Sequence, residues 1–173
     1  MNMKAVLAAS RRFHHHTQGA AYVEFLVAFM PLLVAFECLL QLIELHVANL
    51  VTAHAAQCAS RAAAVVLPDD PKHYQGVPVG VLEGRRLQDV EHAAALPLRA
   101  VRGIISARLR LTDADGAWAA EQGLRTTTAI RVEATYHCRV PLARRLVCDP
   151  ASTDAQLVAT APLILHGARY AYD

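Results

Sequence analysis

Apolar and polar positions divide the chain into two regimes. From Phe25 to Phe36 every residue is apolar, and Leu39, Leu40, Leu42, Ile43 and Leu45 extend the run, interrupted only by Glu37, Cys38, Gln41 and Glu44. No period-2 alternation breaks this stretch. At about 1.5 Å per helical residue, positions 25–45 cover about 32 Å, close to the roughly 30 Å of a bilayer's hydrocarbon. From His46 to Val66 the chain is Ala-rich, free of Gly and Pro, and stops at Leu67-Pro68-Asp69-Asp70-Pro71, a strong helix breaker. A single helix over 22–66, roughly 65–70 Å long at about 1.5 Å per residue, is predicted, with Pro31 as a point where it can kink. In its upper part Val47, Leu50, Val51, Ala55, Cys58, Ala62 and Val65 trace the apolar stripe expected to face the rest of the chain.

The second regime is mixed. Pro68, Pro71, Gly76, Pro78 and Gly80 predict a loop over 67–80. Leu87, Val90 and Ala94, bracketed by Arg85, Arg86, Asp89 and Glu91, predict a short amphipathic helix ending before Pro97. Ile105, Ala107, Leu109 and Leu111 then alternate with polar residues as a strand, with a turn expected at Asp113–Gly116. Ile130, Val132, Ala134 and Tyr136 make a second strand, and Leu157–Leu165 a third, whose Pro162 suits an edge. The expected class is α+β: a long N-terminal helix running into a small domain, 67–173, whose antiparallel sheet packs on that helix.

Composition and charge narrow the function. In 173 residues, 54% are hydrophobic and the net charge is +2, too balanced for a protein that works by neutralising nucleic-acid phosphates. Lys4, Arg11 and Arg12 all precede Gly19, and the first base after the apolar run is Arg61, so the N-terminus is expected on the cytoplasmic side and the domain outside. A cleaved secretory signal fits less well. No small-x-small site follows Phe36, and Glu37 spoils a lipoprotein reading of Cys38. Ionised groups within hydrocarbon cost about 2.5–3.5 kcal/mol each on insertion scales, so the acids here need partners. Glu37, Gln41 and Glu44, at i, i+4 and i+7, share one helical face; either the helix leaves the membrane near Glu37 or the stripe faces other protein helices, and the continued apolar run favours the second.

The segment Gly19-Ala20-Ala21-Tyr22-Val23-Glu24-Phe25, with Arg11 and Arg12 before it and Pro31-Leu32-Leu33-Val34 and Ile43-Glu44-Leu45 after it, resembles the start of TadE-like pseudopilins. The resemblance covers residues 11–66. It implies a basic leader, 1–19, cut after Gly19 by a prepilin peptidase, and a mature helix, 20–66, whose fifth residue is Glu24. It further implies a minor pseudopilin acting in assembly of a tight-adherence pilus or related secretion system. Its partners would be other pilin or pseudopilin subunits, an inner-membrane assembly platform and membrane lipid. Glycine's missing side chain suits a scissile site that must enter a protease cleft. Cleavage leaves an ammonium on Ala20, and the Glu24 carboxylate about one turn away would pair with the amine of a neighbouring subunit.

Cys138 and Cys148 flank a nine-residue interval and are expected to form a disulfide in an oxidising outer compartment. Zinc would need more than these two and His137, so no metal is expected. Cys38 and Cys58 lie roughly 30 Å apart along one helix and cannot bridge within the chain; both are expected as small buried residues. His14–His16 belong to the leader, while His92, His137 and His166 stand isolated. Arg99, Arg102, Arg108, Arg110, Arg144 and Arg145 suggest a solvated basic surface, or one facing lipid headgroups or an acidic partner. No phosphate loop, dinucleotide fingerprint, metalloprotease or nucleophile-elbow motif occurs, so neither enzymatic activity nor a cofactor is expected. The rival readings are a single-pass inner-membrane binding or sensor protein with a periplasmic domain, and a secreted enzyme with an atypical signal.

Overall fold

In a computed structural model, residues 17–113 and 128–163 are described. The fold is α+β. Helix α1 (Thr17–Val66) runs unbroken through Pro31 and is followed by a loop containing a 3-10 turn at Pro71–Tyr74. Helix α2 (Gly84–Leu98), strands β1 (Ile104–Asp113) and β2 (Thr128–His137), the single turn α3 (Arg144–Val147) and strand β3 (Asp154–Pro162) complete it. The sheet is antiparallel in the order β1-β2-β3, and α2, β2 and β3 pack against α1. The loop forecast over 67–80 and the edge position of β3 agree with the structure. The turn expected at Asp113–Gly116 and the end of the third strand beyond Leu163 lie outside the described residues.

The face of α1 that packs differs from the forecast stripe. Ala48, Ala55, Ala56, Ala59 and Ala63 are fully buried there together with Thr52, whereas Val47, Leu50 and Val65 point outward. Small side chains let a sheet and a second helix approach the α1 backbone closely, and that contact decides the rotation of the helix. A bulky Val-Leu stripe would hold them off. The alanines meet Val90, Ala94 and Leu98 from α2, Ile130 and Val132 from β2, and Ala161 from β3 in one core; a second core joins Ala48, Ala134, Tyr136 and Leu157 to the Cys138–Cys148 pair.

Three local departures have clear causes. Helix α2 continues to Leu98 because Pro97 sits in its last turn, where a missing N–H removes one hydrogen bond and no more. The β1–β2 register shifts between Ile104 and Ser106, so Ile104 packs inward while Ile105, expected inside, is 62% exposed. Arg86, expected on the polar flank of α2, is fully buried. Its guanidinium donates to the carbonyls of Val66, Leu67, Asp69 and Val77, and its charge lies 4.4 Å from the centroid of the Tyr74 ring. The last carbonyls of a helix have no partners within it and carry the negative end of its dipole, and a cation placed there satisfies both.

Candidate functional site

Two groups of residues on α1 carry the functional argument, and the structure treats them oppositely. The lower group is Gly19, Ala20 and Glu24. These lie within the first turns of α1, and from Gly19 to Leu32 every residue is exposed, including Tyr22, Phe25, Leu26, Phe29 and Met30. Phe25 and Phe29 stack on one another along the helix at 5.6 Å between ring centroids, a contact within α1 alone. Glu24 is exposed and has no hydrogen-bond or ion-pair partner among the described residues. A Cβ added at Gly19 would meet no atom of another described segment within 4 Å, so space around its Cα is open on that count. That bond is helical here, near the end of α1, where the first N–H groups lack intrahelical acceptors and unwinding costs least.

The upper group, Glu37, Gln41 and Glu44, is engaged by the chain's own domain. Leu142 N–H donates to Glu37 Oε2 at 3.2 Å. Gln41 is fully buried, and its Oε1 accepts from the backbone N–H groups of Arg139 and Val140 at 3.1 and 3.0 Å. Tyr136 Oη donates to Glu44 Oε2 at 2.8 Å. Burial, reinforced by the Glu44 carboxylate, pushes the Tyr136 hydroxyl up to about 12. The expectation that this stripe faces other helices is therefore corrected: its partner is the segment 136–142 of the same chain. Those backbone donors leave the sheet at the end of β2 and need acceptors, which the stripe provides at helical spacing.

The disulfide between Cys138 and Cys148 is present and closes the loop that carries these donors. Cys38 and Cys58 are free and half-buried rather than fully enclosed; Cys58 Sγ lies 3.7 Å from His54 Nε2, one turn away on an exposed face. Gly103, with φ at +120°, precedes β1 and accepts the His137 N–H at 2.7 Å through its carbonyl. A Cβ there would stand 2.7 Å from Tyr136 Cε2, so the ring that reaches Glu44 requires a glycine opposite it. His137 is not isolated as expected, since its Nδ1 lies 2.8 Å from Asp154 Oδ1 across β2 and β3. Of the basic groups, Arg99, Arg102, Arg108 and Arg145 are exposed and Arg110 and Arg144 half-buried; Arg139, beside the second group, is exposed too.

Sequence reasoning located the polar stripe and the disulfide but missed Arg86, Gly103 and Tyr136. The signal available for Tyr136 was its place at the inward end of β2, directly before the cysteine. Among the described residues no group of three or more His, Cys, Asp or Glu is arranged to hold a metal ion. One helix among the described residues, over Gly19–Val66, is long and apolar enough to cross a membrane. Comparison of the chain with family models, with curated proteins and with solved structures finds no match in any of the three.

Proposed function

We propose that the chain is a membrane-anchored structural subunit, a TadE-like minor pseudopilin cut after Gly19 by a prepilin peptidase and assembled with other pilin-like subunits through the lower part of α1. The N-terminus is cytoplasmic and the domain periplasmic, and the protein is a substrate of the peptidase rather than an enzyme. The observation that carries this reading is Glu24: a carboxylate on an apolar, uncovered helical segment, with no partner in its own chain among the described residues. Such a group in hydrocarbon requires an external cation, and the ammonium created on Ala20 of a neighbouring subunit supplies one. The engagement of Glu37 by Leu142 also supports the anchor, because it gives that acid a partner at the edge of the span and leaves Glu24 as the one acid in Gly19–Phe36.

Sequencing of the mature N-terminus from the native envelope, with and without the peptidase, tests the reading. A start at Ala20 that depends on the peptidase is expected. Retention of Met1 would favour the single-pass sensor, and a start beyond Phe36 the secreted enzyme. The Glu24→Leu variant is expected to be processed yet to lose co-assembly, and unchanged assembly would remove the pairing step.

A further inference from the structure

The domain has two ends, and they differ in charge and in surface. Ser60 Oγ donates to the Pro162 carbonyl at 2.6 Å, which sets the end of β3 beside the upper part of α1. Tyr136 reaches Glu44 and Leu142 reaches Glu37, which sets the β2–β3 connection at the lower end, next to the uncovered segment. Val101 packs with Leu45 and Tyr136, so the turn between α2 and β1 lies at the lower end too. The two lower connections hold Arg99, Arg102, Arg139, Arg144 and Arg145, and none of these forms an ion pair among the described residues. The acids nearby are each hydrogen-bonded, Glu37 to the Leu142 N–H and Glu44 to the Tyr136 hydroxyl. Asp154 pairs with His137, and Asp149 accepts from the Ala151 N–H and the Ser152 hydroxyl. By contrast, the upper loop between α1 and α2 carries Asp69, Asp70 and Glu83.

Large apolar side chains stand among these arginines. Leu142 and Leu146, inside the disulfide-closed loop, are 46% and 68% exposed. Two exposed leucines in a constrained loop with three arginines and no acid between Cys138 and Cys148 form a surface that is apolar at its tips and cationic at its rim. Where the span is Gly19–Phe36, that surface stands at its upper edge, with exposed Leu39, Leu42 and Ile43 on the turns alongside. Gly19 to Phe36 covers about 27 Å at 1.5 Å per residue, close to a hydrocarbon thickness of roughly 30 Å, and the Glu37–Leu142 hydrogen bond places the loop immediately above it.

We propose that the lower end of the domain is a lipid-docking foot: Leu142 and Leu146 enter the outer membrane–water interface, while Arg99, Arg102, Arg139 and Arg145 hold anionic headgroups. The inference rests on α1 spanning a bilayer, but on neither the peptidase nor a pilus. Its physics is that of interfacial segments, in which shallow apolar burial and attraction to anionic lipid act together. Each arginine near an anionic surface favours that surface by about fivefold. The loop is presented rigidly because the disulfide closes it and its backbone donors are bound to Gln41 and Glu37. The anchor is thus held by a spanning helix and a second, shallow contact, which fixes the tilt of the domain over the membrane.

The test uses the full chain, with its single tryptophan changed to phenylalanine (Trp118→Phe), in phosphatidylcholine–phosphatidylglycerol vesicles. New tryptophans are introduced one at a time by Leu146→Trp at the foot, Leu32→Trp in the span and Val158→Trp on the outer face of the sheet. Quenching by lipid brominated near the headgroup is expected to be at least threefold stronger for Leu146→Trp than for Val158→Trp. When the bromine is carried by phosphatidylglycerol rather than phosphatidylcholine at equal fraction, quenching at the foot is expected to rise about twofold, and Arg139→Gln with Arg145→Gln to abolish that rise. Strong quenching of Leu32→Trp with Leu146→Trp no different from Val158→Trp would overturn the foot and leave the anchor standing. No quenching of Leu32→Trp would overturn both. Equal quenching by the two brominated lipids would overturn the assignment of the arginines.

Discussion

One helix serves two environments, and its halves show how. Below Glu37, α1 exposes Phe25, Leu26, Phe29, Met30, Leu32 and Phe36; above it, the buried face is built of Ala48, Ala55, Ala56, Ala59 and Ala63. A helix that will be wrapped by its own chain needs small residues so that other backbones can come near, whereas one left to an external apolar phase needs bulk and no particular fit. Hydrophobicity alone does not separate the halves. Side-chain size on the packed face does, since bulky exposed residues such as Leu42, Ile43 and Leu50 continue above Glu37, and the Glu37–Gln41–Glu44 stripe lies where packing by the chain's own domain begins.

The strongest way to break this contrast is to remove what finishes the wrapped half. Arg86→Ala removes the guanidinium that four carbonyls share, of which Val66 and Leu67 keep a backbone N–H donor, and is expected to cost about 3–4 kcal/mol, read by chemical denaturation of the domain. Next comes packing. Ala59→Leu on the buried face is expected to destabilise the domain by about 2–3 kcal/mol through overpacking, while Phe29→Ala in the lower half is expected to change that stability by less than about 0.5 kcal/mol. Equal losses from the two substitutions would mean that the halves are not independent. Gln41→Leu, which keeps the volume but deprives two backbone amides of their acceptor, is expected to cost about 1–2 kcal/mol in the same assay.

The last effect is confined to alkaline pH. Tyr136 holds its proton to about pH 12 in the folded state, against about 10 when unfolded. Between those values the unfolded chain binds fewer protons than the folded one, so this contribution is fully present below pH 10 and falls away as pH rises toward 12. Melting temperatures recorded across pH 9–12 should therefore decline less steeply for Tyr136→Phe than for the parent. Identical slopes would show that the Tyr136–Glu44 contact does not couple the sheet to α1.

Much of the fold was legible in the sequence. The long helix announced itself by an unbroken apolar run and ended at Pro68-Asp69-Asp70-Pro71, and β2 showed clean alternation because only one of its faces is buried. The cysteine pair was legible because Cys138 and Cys148 bracket a short interval at the end of a strand. What remained hidden depended on tertiary contact. Periodicity gave α1 an apolar face but not the correct one, because alanine counts weakly in any hydrophobic pattern while fitting best beneath a sheet. Ile105 looked like an inward residue because alternation assumes no bulge, and the shift beside Ile104 reverses it. Arg86 read as a solvent-facing charge, since nothing local to α2 says that the end of another helix lies opposite. The polar stripe was seen, but apart from the Tyr136 hydroxyl its partners are backbone groups, which carry no signature in a side-chain sequence.

The Arg86 contact also bears on the order in which the molecule is made. The donor that completes the last turn of α1 is encoded 20 positions beyond Val66 and arrives only once α2 has begun to form. A nascent chain that has produced α1 and the following loop can supply the Asp69 and Gly80 N–H groups to the Val66 and Leu67 carbonyls, but not the cation that gathers all four. Docking of α2 completes that terminus, so synthesis runs ahead of the lock by the length of a turn-rich linker, and a chain truncated before Arg86 would lack the charge that ties its upper end together.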